Sequence, residues 1–380
     1  MTLLSIDWSS VGLKAEQLIL SLSILVILHE FGHYITAKWF KCRVEKFYLF
    51  FDPWFSIFKK KVGETEYGIG WLPLGGYVKI AGMVDESMDK EQLKQPAQPW
   101  EFRSKPAWQR LIIMIGGVVV NILLAFAIYS MILMVWGEKN IKTDSLKYGL
   151  TFNDSLFTEL GFKNGDNIVA VDGKELPQFT DVVKKLLVVD KSVTVIRDGN
   201  RMELNMPVDL IGKLIEKKKK ADGPIIAPRV PIIVLDVNDT SVAYKNGLRK
   251  GDKIISVDSI KTLFRDEFEV VMNKKHKGDK IDLTVERNGS AINIHTISPE
   301  DSMVGFSSPV LPEQFDSLGV FKFTVKKYGF FASIPAGIQR AGSELGFYID
   351  QFKKILSPKT GAYKGVGGFK AMGSVFSGNG

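Results

Sequence analysis

Two uninterrupted apolar stretches constrain this chain more than any other feature. One runs roughly from Leu18 to Phe40, the other from Leu111 to Trp136. At 1.5 Å of rise per residue, each exceeds the ~20 residues that cross a ~30 Å hydrocarbon core. The second carries no Asp, Glu, Lys or Arg along its whole length. The first follows a leader whose only basic residue is Lys14 and lacks a small-residue cleavage site, so it reads as a span and not as a removable signal. The remainder is much more polar: hydrophobic residues make up 45% of the chain and the mean hydropathy is +0.05. That balance excludes both a disordered chain and a transporter filled with spans, and it predicts a membrane part joined to a soluble part.

Charge orients the membrane part. Lys38, Lys41, Arg43, Lys46 and Lys59 to Lys61 follow the first stretch, and Arg103, Lys105 and Arg110 precede the second. Such flanking bases place the loop from about 41 to 110 on the cytoplasmic side, so the chain after Trp136 begins on the outer face. The net charge of +8 is spread along these borders. The one dense lysine run, Glu216 to Lys220 ahead of Gly223-Pro224, has no aromatic residues between its charges. It reads as a solvated linker, and no nucleic-acid partner is expected. Cys42 is the single cysteine, so no internal disulfide frames the fold.

The soluble part repeats itself. Gly161-Phe162-Lys163-Asn164-Gly165-Asp166, with the alternating run to Asp172, recurs 86 residues later as Gly247-Leu248-Arg249-Lys250-Gly251-Asp252, with its run to Asp258. Each copy is followed by a strand ending in a turn, at Arg197-Asp198-Gly199 and at Arg287-Asn288-Gly289. A Gly-Asp turn, a strand, a short helix and a hairpin make an α+β pattern. Ser259 stands where the first copy has Gly173, so the turn there is expected to differ. The pattern resembles PDZ domains of the bacterial protease type, a resemblance that implies strand-addition binding of extended peptides.

The chemistry sits in the first stretch. His29-Glu30-Phe31-Gly32-His33 is an HExxH motif. On a helix, positions i and i+4 share a face, so the two imidazoles are placed to ligate one Zn2+ with Glu30 beside them as general base toward a metal-activated water. A titratable side chain at mid-bilayer costs on the order of 2.5–3.5 kcal/mol, so three within five positions require a compensating use, and a metal supplies one.

An HExxH in the first transmembrane helix followed by PDZ-like repeats resembles the site-2 protease family of intramembrane zinc metalloproteases, in particular its bacterial regulator-of-sigma-E branch. Gly68 to Lys79, ending Pro73-Leu74-Gly75-Gly76-Tyr77-Val78-Lys79, resembles the family's membrane-dipping β-hairpin-like loop. Gly117-Val118-Val119-Val120-Asn121 resembles its GPxxN element, with Val118 in place of proline. The resemblance implies that Leu74, Gly75, Gly76, Tyr77 and Asn121 hold an unwound substrate beside the zinc. It implies single-span membrane proteins as substrates, pre-trimmed by an upstream site-1 protease, such as anti-sigma factors or signal-peptide remnants. It also implies a multi-pass protein of the bacterial inner membrane, with the repeats on the periplasmic side and the lipid bilayer as a constant partner.

The expected architecture is a multi-domain membrane protein with an α-helical transmembrane part, a membrane-associated β-loop and two tandem α+β PDZ-like domains. The transmembrane catalytic part covers 1–140, with the β-loop at about 65–80. The first PDZ-like domain covers 141–212, a linker 213–223, the second domain 224–300, and an amphipathic membrane-surface region 301–380. The family supplies a third zinc ligand as an aspartate in an LDG motif on a third span. Neither that motif nor a further apolar span occurs in this sequence, so the expectation is a chain lacking its C-terminal spans. The competing expectation is a non-catalytic, membrane-anchored PDZ adaptor.

Overall fold

The computed structural model describes residues 8–73, 75–83, 96–217, 224–298, 305–309 and 311–367. The chain divides into two compact units, the first formed by residues to Met134 with Gly329–Gly342 and the second by Val135–Tyr328 with Ser343–Val366.

In the first unit, helix α1 (Trp8–Trp39) leads into strands β1 (Val44–Leu49), β2 (Phe51–Val62), β3 (Thr65–Leu72) and β4 (Tyr77–Ile80), and then into helix α2 (Ala107–Val135). Both helices are long and apolar enough to cross a membrane. Helix α1 begins well before the apolar boundary at Leu18, because Leu13, Lys14, Ala15 and Glu16 all favour helix whether or not they are apolar.

The helices meet through glycines. A methyl group on Gly32 would lie 2.3 Å from the Gly116 carbonyl oxygen, and one on Gly116 would lie 2.7 Å from the Gly32 oxygen. Small residues at such a crossing let two backbones touch, which substitutes for a hydrophobic driving force inside lipid. The strands form one sheet in the order β2-β3-β1-β4, with β1 and β3 parallel and the other pairs antiparallel. This sheet reaches back to Val44, so the strand content exceeds the loop expected at about 65–80. Ala37, Cys42, Val44, Ile80 and Ile113 form a small core joining sheet to helices.

The second unit opens with β5 (Glu138–Ile141) and then runs twice through one plan. The first copy comprises β6 (Leu150–Phe152), α3 (Ser155–Glu159), β7 (Asn167–Val171), β8 (Lys174–Glu175), α4 (Phe179–Leu187), β9 (Ser192–Arg197) and β10 (Asn200–Asn205), followed by α5 (Leu210–Lys217) and β11 (Ile226–Pro228). The second comprises β12 (Asp236–Val237), α6 (Val242–Lys245), β13 (Lys253–Val257), β14 (Ile260–Lys261), α7 (Arg265–Met272), β15 (Lys280–Arg287), β16 (Ser290–Ile297) and β17 (Phe306–Ser307). After it come α8 (Pro312–Ser317), β18 (Phe323–Lys326), which pairs with β5, and α9 (Phe330–Leu356), of which the part from Ser343 belongs to this unit. The main sheets are ordered β8-β7-β9-β10 and β14-β13-β15-β16, and each copy adds a second small sheet, β6 with β11 and β12 with β17.

The repeated letters have one physical cause. In the first copy Arg197 clasps buried Asp166 through two contacts of 2.7 Å and donates to the Gly161 carbonyl at 2.7 Å. In the second copy Arg287 does the same to Asp252, at 2.6 and 2.7 Å, and to the Gly247 carbonyl at 2.7 Å. The Gly-Asp turn and the hairpin arginine are therefore two ends of one bidentate clasp, which a buried carboxylate needs. Apolar residues of the repeat fill equivalent core positions: Phe162, Ile168, Val182 and Leu186 in one copy and Leu248, Ile254, Phe268 and Met272 in the other. Arg229 ties the copies together, pairing with Asp266 at 3.1 Å and Glu267 at 2.6 Å and lying 3.9 Å over the Phe264 ring.

The turn at Ser259 does not differ from its counterpart. Asp172-Gly173 have φ of 49° and 76°, and Asp258-Ser259 have 48° and 66°. Strand pairing on both sides holds serine in the left-handed region that glycine enters freely. Ser259→Gly is therefore expected to stabilise the protein by about 1 kcal/mol. Chemical denaturation of the wild type and the variant, compared at equal m-value, checks this.

Candidate active site

Helix α1 brings His29, Glu30 and His33 to the glycine crossing. The two Nε2 atoms lie 3.2 Å apart. Two zinc–nitrogen bonds of about 2.0–2.1 Å at a near-tetrahedral angle separate their nitrogens by about 3.3 Å, so the pair fits one zinc ion. His33 Nδ1 lies 2.7 Å from the Ile113 carbonyl of α2. A carbonyl only accepts, so Nδ1 carries the proton and the Nε2 lone pair faces the site, the usual arrangement around a metal-ligating histidine. Gly117 provides the room: a methyl group there would lie 2.6 Å from His33 Nε2 and 2.7 Å from His29 Nε2. Among the described residues, no group of three or more His, Cys, Asp or Glu side chains is placed to hold a metal.

Asn121, one helical turn beyond Gly117, sets its Nδ2 3.5 Å from His29 Nδ1, while its Oδ1 is buried without a hydrogen-bond partner.

A cavity of about 540 Å3 opens beside the motif. Glu30 and His33 line one side, and Gly76, Tyr77, Val78 and Lys79 the other. Among the described residues β1 is the one strand that pairs with β4, which lies at the edge of its sheet. It thus brings a sheet edge to the same cavity as Glu30. Gly75 adopts φ of 150°, and a methyl on it would touch the Phe51 ring at 3.0 Å, while one on Gly76 would lie 2.7 Å from the Tyr48 carbonyl oxygen. The glycines of this segment are spaces for β1 and the start of β2. Leu74 lies outside the described residues.

Sequence reasoning gathered His29, Glu30, His33, Tyr77 and Asn121 but not Asp52 or the Ile113 carbonyl. Asp52 also lines the cavity, on a strand that carries no motif. The carbonyl belongs to the backbone, which leaves no trace in residue identity.

The profile of Peptidase family M50 matches residues 17–374. A regulator of sigma E protease from Salmonella typhi is 28% identical over 376 residues, covering 93% of this chain and 78% of that protein. The regulator of sigma-E protease RseP of Escherichia coli is 29% identical over 362 residues, covering 89% and 75%. A putative zinc metalloprotease of Borreliella burgdorferi is 28% identical over 301 residues, covering 77% and 65%. Among solved structures, the PDZ domain of an SdrC-like protein from Listeria monocytogenes covers 22% of this chain and 90% of its own, at 17% identity and a TM-score of 0.19. The match along 17–374 makes this chain a member of peptidase family M50, the site-2 protease family.

Proposed function

We propose that this protein is an intramembrane zinc metalloprotease that hydrolyses peptide bonds within the transmembrane segments of single-span proteins. The observation that carries the reading is the shared cavity, which Glu30 and His33 line together with Tyr77, Val78 and Lys79 of the sheet-edge strand β4. A helical substrate hides its peptide bonds in its own hydrogen bonds and must unwind before it is cut. An edge strand supplies substitute backbone partners, as strand addition does elsewhere. The Asn121 amide, 3.5 Å from His29, is placed to hydrogen-bond the unwound chain beside the imidazoles.

His29 and His33 would serve as ligands to zinc, with their Nε2 atoms already at ligand spacing. When bound there, zinc supplies Lewis acidity that brings the pKa of a water toward neutrality. Glu30 accepts a proton from the attacking water as its oxygen bonds to the substrate carbonyl carbon. It returns the proton to the departing amide nitrogen as the C–N bond breaks. Strand β4 and Asn121 hold the substrate extended during these transfers, and the close helix crossing limits bulk water.

The repeats supply selection by size. In this reading they lie on the periplasmic side as tandem PDZ-like domains and exclude substrates whose ectodomains have not been trimmed by another protease. The Arg229 ion pairs and the bond from Asn164 to Asp266 at 2.7 Å support a sieve in which the two copies keep a fixed relation. Anti-sigma factors and signal-peptide remnants have the required form, and the setting is the bacterial inner membrane.

Three outcomes test the proposal. Glu30→Gln should retain zinc while lowering turnover of a transmembrane peptide by about 10²–10⁴-fold, read from metal content and cleavage of the same preparation; cleavage at the native rate removes Glu30 from its role. Gly117→Ala should weaken zinc binding about ten- to hundred-fold in chelator competition, with helical circular dichroism unchanged, because its methyl enters the imidazole cradle. Deleting residues 145–300 should let untrimmed substrates be cut in cells, and continued dependence on trimming would remove the sieve.

A further inference from the structure

The polar chain behind strand β4 runs through every strand of its sheet. The Tyr77 hydroxyl on β4 donates to Asp52 Oδ1 on β2 at 3.0 Å. Ser56 on β2 lies 3.0 Å from Asp52 Oδ2 and 3.3 Å from the Tyr48 hydroxyl on β1, and Tyr48 donates to Glu66 on β3 at 2.7 Å. In the sheet order, β2 and β4 are the two opposite edges, so no backbone ladder joins them. The Asp52 carboxylate is the polar link, among the described residues, between these edges.

The backbone is bent to make that link. In a regular strand, residues four apart are separated by about 13 Å. Asp52 and Ser56 are nevertheless in hydrogen-bond contact, because β2 loses register between Phe51 and Ser56 and Trp54 there adopts φ of 73°. A left-handed tryptophan in a strand is a strained conformation that persists only where its surroundings hold it. The bulge folds Asp52 back toward the end of β1, where Tyr77 pairs with Tyr48 in the β1–β4 register. The Tyr77 ring then stacks between Tyr48 at 5.2 Å and Phe51 at 6.2 Å, with interplanar angles of 12° and 7°. Burial first, and then the Asp52 carboxylate, hold the Tyr77 hydroxyl above the ordinary tyrosine range, so it remains a donor.

We propose that Asp52 is a positioning residue for substrate binding: through the Tyr77 hydroxyl it latches the edge strand Tyr77–Ile80 in place beside Glu30. The proposal rests on the protease reading above, in which β4 receives the unwound substrate. An unlatched edge must be ordered by the substrate itself, and that cost falls on binding. The reacting groups sit on α1 and are untouched, so chemistry on bound substrate proceeds at its usual rate.

The test uses the zinc-loaded protein in detergent micelles, with two readouts: amide hydrogen exchange over Tyr77–Ile80, and KM and kcat on a transmembrane peptide. Asp52→Ala should speed exchange across these residues and raise KM, each about ten-fold, with kcat within about two-fold of wild type. Asp52→Asn still accepts the Tyr77 proton and should restore both values. Tyr77→Phe keeps the ring stacks and loses only the hydroxyl, so it should match Asp52→Ala even if the alanine variant does not fold. Unchanged exchange and KM in Tyr77→Phe overturn the latch, and so does a fall in kcat at constant KM. If the wild type cleaves nothing while exchange responds as expected, the protease reading falls and the latch stands.

Discussion

Everything at the candidate site depends on how closely two helices approach. Gly32 on α1 and Gly116 and Gly117 on α2 leave the backbones in contact, at distances where any side chain would overlap the facing helix. That contact places the Ile113 carbonyl against His33 and sets Asn121 near His29. Zinc geometry tolerates errors of only about 0.2 Å in ligand position, so a metal pair on a membrane helix requires a neighbour that holds the rings rigidly. Glycine provides this at the smallest possible interhelical distance.

The sheet solves a different problem. A protease acting on helices needs an unpaired strand edge, and an unpaired edge in an apolar setting is a liability. Here the edge strand is four residues long and is bordered by glycines that let it lie flat on β1. The aromatic stack of Tyr48, Tyr77 and Phe51 covers its base, and the Tyr77 hydroxyl joins it to Asp52 of β2 through side chains alone.

The repeats show how duplicated letters encode one buried contact. Asp166 and Asp252 are almost fully enclosed, at 1% and 0% exposure, and each is met by an arginine about thirty residues on. Burying a carboxylate is unfavourable unless the partner geometry is bidentate and further donors complete it. The Lys163 and Arg249 backbone N–H groups supply those donors at 2.9 and 2.8 Å. The Ser259 turn shows the limit of reading by letters: strand pairing imposed the left-handed conformation on a residue that does not favour it.

By itself the sequence determined whatever depends on local spacing. The HExxH interval put both imidazoles on one helix face, the uncharged run from Leu111 set the second long helix, and the 86-residue offset announced two copies of one plan. Tertiary structure decided what lies far apart along the chain or resides in the backbone. The Ile113 carbonyl that sets the His33 tautomer has no residue signature, and the gap that Gly117 leaves matters only once α1 crosses it. Asp52 belongs to no motif in the sequence, and the bulge at Trp54 turns it toward Tyr77, 25 residues later. Spacing along a helix is a short-range geometric rule that letters carry directly. A latch across a sheet depends on register, bulge and twist, which are settled only when all four strands have paired.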